Sequence, residues 1–381
     1  MADTALATVD KHYHNYGYRA RELKEQGGKT IGYMCAYVPL EIIAAAGFIP
    51  IRIKGDVKEP ITKADAKMET LVCPFVRSAF DLALKKQYEF FDGLVIPHAC
   101  DSICRTYPIW QYTSKLPYCH FINVPHSTEK PSVEFFKAIL STFRESLGKF
   151  AGVTISDEKL IAATHLYNRN RALMRELYEL RKSLPPLISG VEMTKVLISA
   201  MSIPVEECNN LIEGVIQEVK ARDTRATKSA RIMIVGAQVD DTAFIDVVES
   251  SGANMVIDDI CTGTRVYWPD VDISNDPMND LAERYLKRIM CPRTYRQKVG
   301  TYSQYLEKRF GHIGRFVSDF KVDGVILYIY KYCDPYGFEV PAMKSYVESL
   351  GIPVLYLEDE YSMLTISRLK TRVQAFLELI S

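Results

Sequence analysis

Three cysteines stand at positions where a helix is predicted to begin: Cys73, Cys100 and Cys333. A helix N-terminus stabilises an anionic thiolate, and its free backbone N–H groups can donate to sulfur. Three thiolates presented in this way would form a cage for a cubane iron–sulfur cluster with one iron left open. Judged by residue type alone, buried or redox-active thiols remain an alternative.

The spacing of the cysteines argues against a zinc site and against a ferredoxin-type cluster. Zinc is the first rival to a cluster, but zinc sites usually draw on close pairs such as C-x2-C. The only close pair is Cys100 and Cys104, which an i, i+4 spacing would place on one face of a helix. No run has ferredoxin spacing. Cys119 and Cys208 lie inside a predicted strand and a predicted helix, and we interpret both as small core residues.

Two of the three cysteines end stretches that resemble one another. Residues 91–101 read FDGLVIPHACD and residues 322–334 read VDGVILYIYKYCD. Each has Asp-Gly, a largely apolar run of strand length, and then Cys-Asp where the run ends. Because open α/β sheets bind ligands at the carboxyl ends of their strands, Cys100 and Cys333 are predicted to face each other across a cleft.

The elements around these stretches repeat in the same order. Strand and helix signals alternate over residues 1–150, give way to helical periodicity over 151–226, and alternate again over 227–381. This pattern predicts an α/β fold with two related Rossmann-like lobes, each with a mainly parallel sheet, joined by a helical segment. We interpret the charged stretch 218–231 as a linker or a solvated helix end.

Other motifs are weaker or absent. DDICTGTR (258–265) places two acids, Cys261 and Arg265 after a predicted strand, which fits either a site or a turn with a surface salt bridge. No G-x-G-x-x-G, P-loop or G-x-S-x-G motif occurs, so the chain is not expected to hydrolyse a nucleotide by a P-loop. His98 and His120 are interpreted as structural, and no catalytic residue is assigned.

Composition excludes several classes of partner. The 381 residues are 48% hydrophobic and 25% charged, and 47 basic residues balance 47 acidic ones. This balance predicts no nucleic-acid partner. No apolar run reaches the roughly 18 residues that a membrane helix needs, and the first residues do not resemble a secretion signal. We therefore expect a cytoplasmic protein without a membrane partner.

Five stretches together resemble the benzoyl-CoA reductase/2-hydroxyacyl-CoA dehydratase family. They are YVPLEIIAAAGFIPIRI (37–53), CPFVRSAF (73–80), DGLVIPHACDSICRTY (92–107), DPMNDLAERYL (276–286) and DGVILYIYKYCDPYGFEVP (323–341). The resemblance implies two α/β lobes with a 4Fe–4S cluster between them. The family's three ligand positions fall on Cys73, Cys100 and Cys333.

The resemblance also implies the chemistry and the partners. A very low-potential electron is delivered to an acyl-CoA thioester, and the resulting ketyl radical permits dehydration or ring reduction. A separate ATP-hydrolysing iron–sulfur activator supplies that electron in anaerobic metabolism. The enzymes pair two related subunits, of which one binds the acyl-CoA.

Four further cysteines lie in or beside the matched stretches: Cys35, Cys104, Cys261 and Cys291. One branch of the family carries a double-cubane 8Fe–9S cluster, which needs about twice the thiolates of a single cubane. Its members reduce small molecules and form homodimers. Three hypotheses therefore stand: a single-cubane acyl-CoA enzyme, a double-cubane reductase, and a non-catalytic partner that relays electrons.

Overall fold

The first sheet is built from strands in the first third of the chain. In the computed structural model, which describes residues 4–223 and 229–380, its four strands are all parallel and lie in the order β2-β1-β3-β4. Their bounds are β1 Lys29–Tyr33, β2 Phe48–Arg52, β3 Gly93–Pro97 and β4 Tyr118–Ile122. The predicted boundary between residues 226 and 227 lies outside the described residues.

The last third of the chain forms a second parallel sheet with the same order of strands, β6-β5-β7-β8. The strands are β5 Ala230–Gly236, β6 Ala253–Asp259, β7 Gly324–Tyr330 and β8 Val354–Asp359. Gly236 is required where β5 meets β7, because a Cβ atom there would lie 2.0 Å from the Tyr328 carbonyl oxygen. The predicted α/β fold with two related lobes is confirmed.

The Asp-Gly pair that opens each repeated stretch has the same structural role in both lobes. The Asp92 carboxylate accepts from the N–H of Thr30 on β1 at 2.8 Å, and Asp323 accepts from the N–H of Arg231 on β5 at 2.8 Å. The N–H groups of Asp92 and Asp323 in turn donate to the carbonyls of those same two residues, at 2.9 and 2.8 Å. Each aspartate thus fixes the start of its strand against the central neighbour.

Helices cover both sheets and make up the region between them. They are α1 Ala5–His14, α2 Tyr18–Glu25, α3 Leu40–Ala45, α4 Pro74–Leu84, α5 Asp101–Thr113, α6 Lys130–Ala151, α7 Asp157–Glu179, α8 Gly190–Ala200, α9 Val205–Lys220, α10 Ala243–Ser250, α11 Thr264–Tyr267, α12 Pro277–Glu283, α13 Tyr302–Asp319, α14 Asp334–Ser349 and α15 Ile366–Ile380. Ser156 is the N-cap of α7, since its hydroxyl accepts from the Lys159 N–H at 3.4 Å. Among the described residues, no helix is both long and apolar enough to cross a membrane.

One stretch is less helical than its sequence predicts. The sequence predicts helix over residues 276–312 with a break at Cys291-Pro292, but α12 passes into a π turn at Arg284–Arg288 and the chain stays irregular up to α13. The guanidinium of Arg293 donates to the carbonyls of Ala99, Val124 and Pro125 in the first lobe, at 2.7–3.1 Å. These tertiary bonds hold the segment extended against the other lobe, which outweighs its local helix propensity.

Candidate metal centre between the lobes

A cavity of about 620 Å³ lies between the carboxyl ends of the two sheets. Residues from both lobes line it, and six of the nine cysteines are among them: Cys35, Cys73, Cys100, Cys261, Cys291 and Cys333. The rest of the wall is mostly apolar, with side chains such as Phe75, Val76 and Ile103. The repeated strands therefore bring their terminal thiols to one shared space, as the sequence predicts.

Three of these cysteines are helix N-caps. Cys73 precedes α4, Cys100 precedes α5 and Cys333 precedes α14, and none of their side chains caps its own helix. None of the three is in a disulfide, and their sulfur atoms lie next to the positive ends of three helix dipoles. The backbone N–H of Cys73 donates to Ser102 Oγ at 3.3 Å, which links the starts of α4 and α5.

The other three cysteines reach the cavity from irregular backbone. Cys35 follows β1 and has a φ of 67°, a left-handed conformation that is uncommon for any residue but glycine. Cys261 follows β6, and its N–H donates to the Ala237 carbonyl at 2.9 Å. Cys291 lies in the extended segment before α13. The left-handed backbone of Cys35 is strained, and strained residues cluster at functional sites, where the surrounding structure holds them in place.

Burial makes free thiolates unfavourable in this cavity. It raises the pKa of Cys35 to about 12, and the neighbouring Cys261 and Cys291 add to the effect. Burial also raises the pKa of Cys73 to about 11, and it raises the pKa values of Cys100 and Cys333 well above the ordinary thiol range. A group of thiols so placed would ionise only with a positively charged partner, such as bound iron.

The DDICTGTR segment is buried rather than a surface turn, and it contributes Cys261 to the cavity lining. Arg265, which is 3% exposed, pairs with Asp259 at 3.0 Å and donates to Cys261 Sγ at 3.3 Å. The same guanidinium contacts the hydroxyl of Tyr336, another lining residue. Since the charge of Asp259 balances that of Arg265, the pair presents a donor to Cys261 without an uncompensated buried charge.

Three cysteines lie outside the cavity lining. Cys104 lies one turn into α5 beside Asp101 and Arg105, so the structure does not bring this predicted extra ligand to the others. Cys208 is 2% exposed on α9 and receives a hydrogen bond from Asn170 Nδ2 at 3.2 Å. Cys119 lies on β4, half-buried. The positions of Cys119 and Cys208 agree with their interpretation as packing residues.

Several residues of the cavity wall were not singled out from the sequence. They are Arg52, Gln238, Arg293, Tyr330 and Tyr336. One signal was available for Arg52, a lone cation at the end of the apolar strand FIPIR, where a buried strand meets a ligand site. The others depend on loop conformations that have no local sequence signature.

The donors around the cavity are of one chemical type. All nine cysteines are free thiols, and all of them lie in the described ranges. Six of them line the cavity, and cysteine thiolates are the ligands that hold iron–sulfur clusters. Within those ranges no three His, Cys, Asp or Glu side chains converge closely enough for one metal ion.

A second cavity of about 630 Å³ adjoins the first, and Cys35 and Arg52 line both. Its floor holds a buried charge network. Glu41 of α3 pairs with Arg171 of α7 and accepts from the Tyr285 hydroxyl at 2.8 Å. The thiol of Cys35 and the guanidinium of Arg52 thus belong to the walls of both cavities.

Fold and site together define a two-lobed α/β protein with a thiol-lined cleft at the strand ends. The family model of the 2-hydroxyglutaryl-CoA dehydratase D-component matches residues 35–380. The chain belongs to this family, which confirms the resemblance drawn from the motifs.

Its relatives are enzyme subunits of similar length. The chain is 27% identical to the (R)-phenyllactyl-CoA dehydratase beta subunit of Clostridium sporogenes, over 95% of this chain and 94% of that subunit. It is 28% identical to one of the subunits of benzoyl-CoA reductase from Thauera aromatica, over 94% and 92%. It is 21% identical to the (R)-2-hydroxyglutaryl-CoA dehydratase beta subunit of Acidaminococcus fermentans, over 93% of each chain. The relatives therefore include both lyases and an oxidoreductase.

Proposed function

We propose that this chain is the iron–sulfur subunit of a low-potential reductive enzyme and that its cleft binds a double-cubane 8Fe–9S cluster. The observation that carries the proposal is the number of thiols around one cavity. A single cubane on Cys73, Cys100 and Cys333 would leave Cys35, Cys261 and Cys291 without a role, although all three line the same space. Six thiols match the larger cluster, which would supply electrons at very low potential.

The chain's own residues would set the environment of that cluster. The three helix N-termini at Cys73, Cys100 and Cys333 stabilise negative charge on sulfur. Arg265 donates to Cys261, and the apolar side chains of the wall exclude water. Water exclusion and donors aimed at sulfur are the means by which a protein tunes a cluster.

An anaerobic iron and sulfide count tests this proposal directly. Brown protein purified without oxygen should contain about eight irons per chain, against about four for a single cubane. A count near four would contradict the double cubane and leave the single-cubane enzyme. Colourless, iron-free protein from a strictly anaerobic preparation would contradict both.

Cys291 and Cys104 form a matched pair for the ligand assignment, because both are half-buried and only Cys291 lines the cavity. Cys291→Ala is expected to lower the iron content well below that of the wild type, since one cubane loses a ligand. Cys104→Ala is expected to keep the wild-type iron content. If Cys291→Ala also retained all its iron, Cys291 would not be a ligand.

A second candidate is an acyl-CoA dehydratase or reductase subunit with one 4Fe–4S cluster. The names of the relatives favour it, because they act on phenyllactyl-CoA, benzoyl-CoA and 2-hydroxyglutaryl-CoA as subunits of larger enzymes. In either case we infer an ATP-hydrolysing iron–sulfur activator and a related partner subunit or a second copy of the chain. If the purified chain, given activator and an acyl-CoA but no partner subunit, turned over the substrate, the non-catalytic relay would be contradicted. Light scattering would give the number of copies of the chain.

A further inference from the structure

Arg52 is a buried cation without a carboxylate partner. The side chain stands at the end of β2, is 2% exposed and lines the six-thiol cavity. No carboxylate among the described residues forms an ion pair with it, and its Nε atom has no acceptor. A buried guanidinium N–H without an acceptor is unfavourable, and a group bound in the cavity could supply that acceptor.

Gln238 supplies a second free donor at the same wall. It is 5% exposed, lines the cavity, and its Oε1 accepts from Arg52 Nη2 at 2.8 Å. Because a guanidinium only donates, the amide oxygen must face Arg52 and the NH₂ group must point elsewhere. That NH₂ group has no acceptor in the described part of the chain. Two buried donors at this wall, Arg52 Nε and Gln238 Nε2, are therefore left without an acceptor.

The pair lies beside the second group of cysteines. Arg52 pairs in register with Tyr33, two residues before Cys35. Gln238 follows Ala237, whose carbonyl accepts from the Cys261 N–H. Arg52 belongs to the first lobe and Gln238 to the second, so the bond between them also bridges the cleft.

We infer that Arg52 and Gln238 form a two-donor receptor for an anionic acceptor inside the cavity, and that this acceptor is a sulfur atom of the bound cluster near Cys35 and Cys261. The inference rests on the proposed function, because it needs a cluster there. The neighbouring Arg265 already has Asp259 as its counter-charge. Arg52 differs in that it has no carboxylate counter-charge among the described residues, and its Nε donor is left without an acceptor.

Such donors favour the reduced cluster, because reduction adds negative charge to sulfur. Arg52→Met and Gln238→Leu should therefore lower the midpoint potential of the anaerobic holoprotein, measured by a redox titration followed by electron paramagnetic resonance. We expect the ratio of reduced to oxidised cluster at a given potential to fall about tenfold for Arg52→Met, or ~59 mV for a one-electron couple. Gln238→Leu should lower the midpoint potential by less than Arg52→Met does. Arg52→Lys should have a midpoint potential between those of Arg52→Met and the wild type.

Arg181→Met is the matched control. Arg181 is fully buried, and its Nε and Nη1 also have no acceptor in the described residues, but it does not line the cavity. The Arg181→Met variant should leave the midpoint potential unchanged. An equal change in this variant would mean that loss of any buried guanidinium alters the potential, which would overturn the inference.

The remaining outcomes separate this inference from the proposed function. Iron-free wild-type protein would refute the proposed function itself. If Arg52→Met and Gln238→Leu both kept the iron content and the midpoint potential of the wild type, the two-donor receptor would be refuted and the proposed function would stand. If a free anion occupied the site, added sodium chloride would change the wild-type spectrum but not that of Arg52→Met, and the assignment to cluster sulfur would be overturned. Gln238→Leu keeps the test decisive if Arg52→Met does not fold.

Discussion

Cys100→Ala and Cys333→Ala are expected to lose most of their iron when they are purified without oxygen, while both lobes stay folded. Each residue presents its sulfur at the start of a helix, on opposite sides of the cleft. Removing either thiolate opens the proposed cage, and metal ligation of this kind does not tolerate the loss of a ligand. An iron count measures the loss of iron, and far-ultraviolet circular dichroism shows whether the lobes stay folded.

Serine at the same positions separates ligation from folding. Serine is a preferred N-cap, because its hydroxyl accepts from the first free N–H groups of a helix. Cys100→Ser and Cys333→Ser should therefore hold their helices at least as well as the native cysteines, and still lose iron. Wild-type iron content in these variants would refute the ligand assignment.

Glu41→Ala is expected to cost the protein about 3–5 kcal/mol of unfolding free energy. Glu41 is fully buried and contacts Arg171, and its other oxygen accepts from Tyr285. Removing the carboxylate leaves Arg171 buried without its anion, and it breaks a junction that joins α3, α7 and the second lobe. Urea denaturation of the metal-free chain, followed by circular dichroism, measures the difference.

The matched control is Glu134→Ala. Glu134 pairs with Lys130 at 3.9 Å, and both side chains are largely exposed. An exposed pair contributes little, so this variant should stay within about 0.5 kcal/mol of the wild type. If Glu41→Ala and Glu134→Ala lost equal amounts of unfolding free energy, the buried network would contribute no more to stability than an exposed ion pair.

Acid should weaken the Glu41 junction. Burial opposes ionisation of Glu41, but the charges of Arg171 and Arg284 outweigh it, so the pKa lies below its ordinary 4.5. A lowered pKa stabilises the fold above the unfolded value and loses that contribution as the pH falls through the folded value. The gap in stability between the wild type and Glu41→Gln should therefore narrow below about pH 4.5.

Much of this site could be predicted because its signals are local. The turn that follows a buried strand is encoded by a short run of apolar residues and the Asp-Gly before it, as in residues 91–101 and 322–334. The helix starts at Cys73, Cys100 and Cys333 are set by the residues next to them. Parallel pairing then brings the strand ends to one edge of each sheet, so the cleft follows from the repeat.

Local sequence signals could not decide which of the further cysteines line the cavity. Cys104 and Cys291 were equal candidates, yet one turn of α5 carries Cys104 out of the cavity lining. Cys291 reaches the cavity because Arg293 fastens the irregular segment to carbonyls of the other lobe. Those bonds join residues about 170–190 positions apart, and no local pattern encodes them.

The sequence by itself determined the two lobes, their parallel strands and the three thiols that begin helices, because apolar periodicity and helix capping act between near neighbours. Only the tertiary structure decided that six thiols share one cavity and that Arg52 and Gln238 each keep one donor without an acceptor beside them. The physical reason is that burial and charge balance depend on what the other lobe brings to the cleft. A lone arginine at a strand end becomes informative only when no carboxylate is found to meet it.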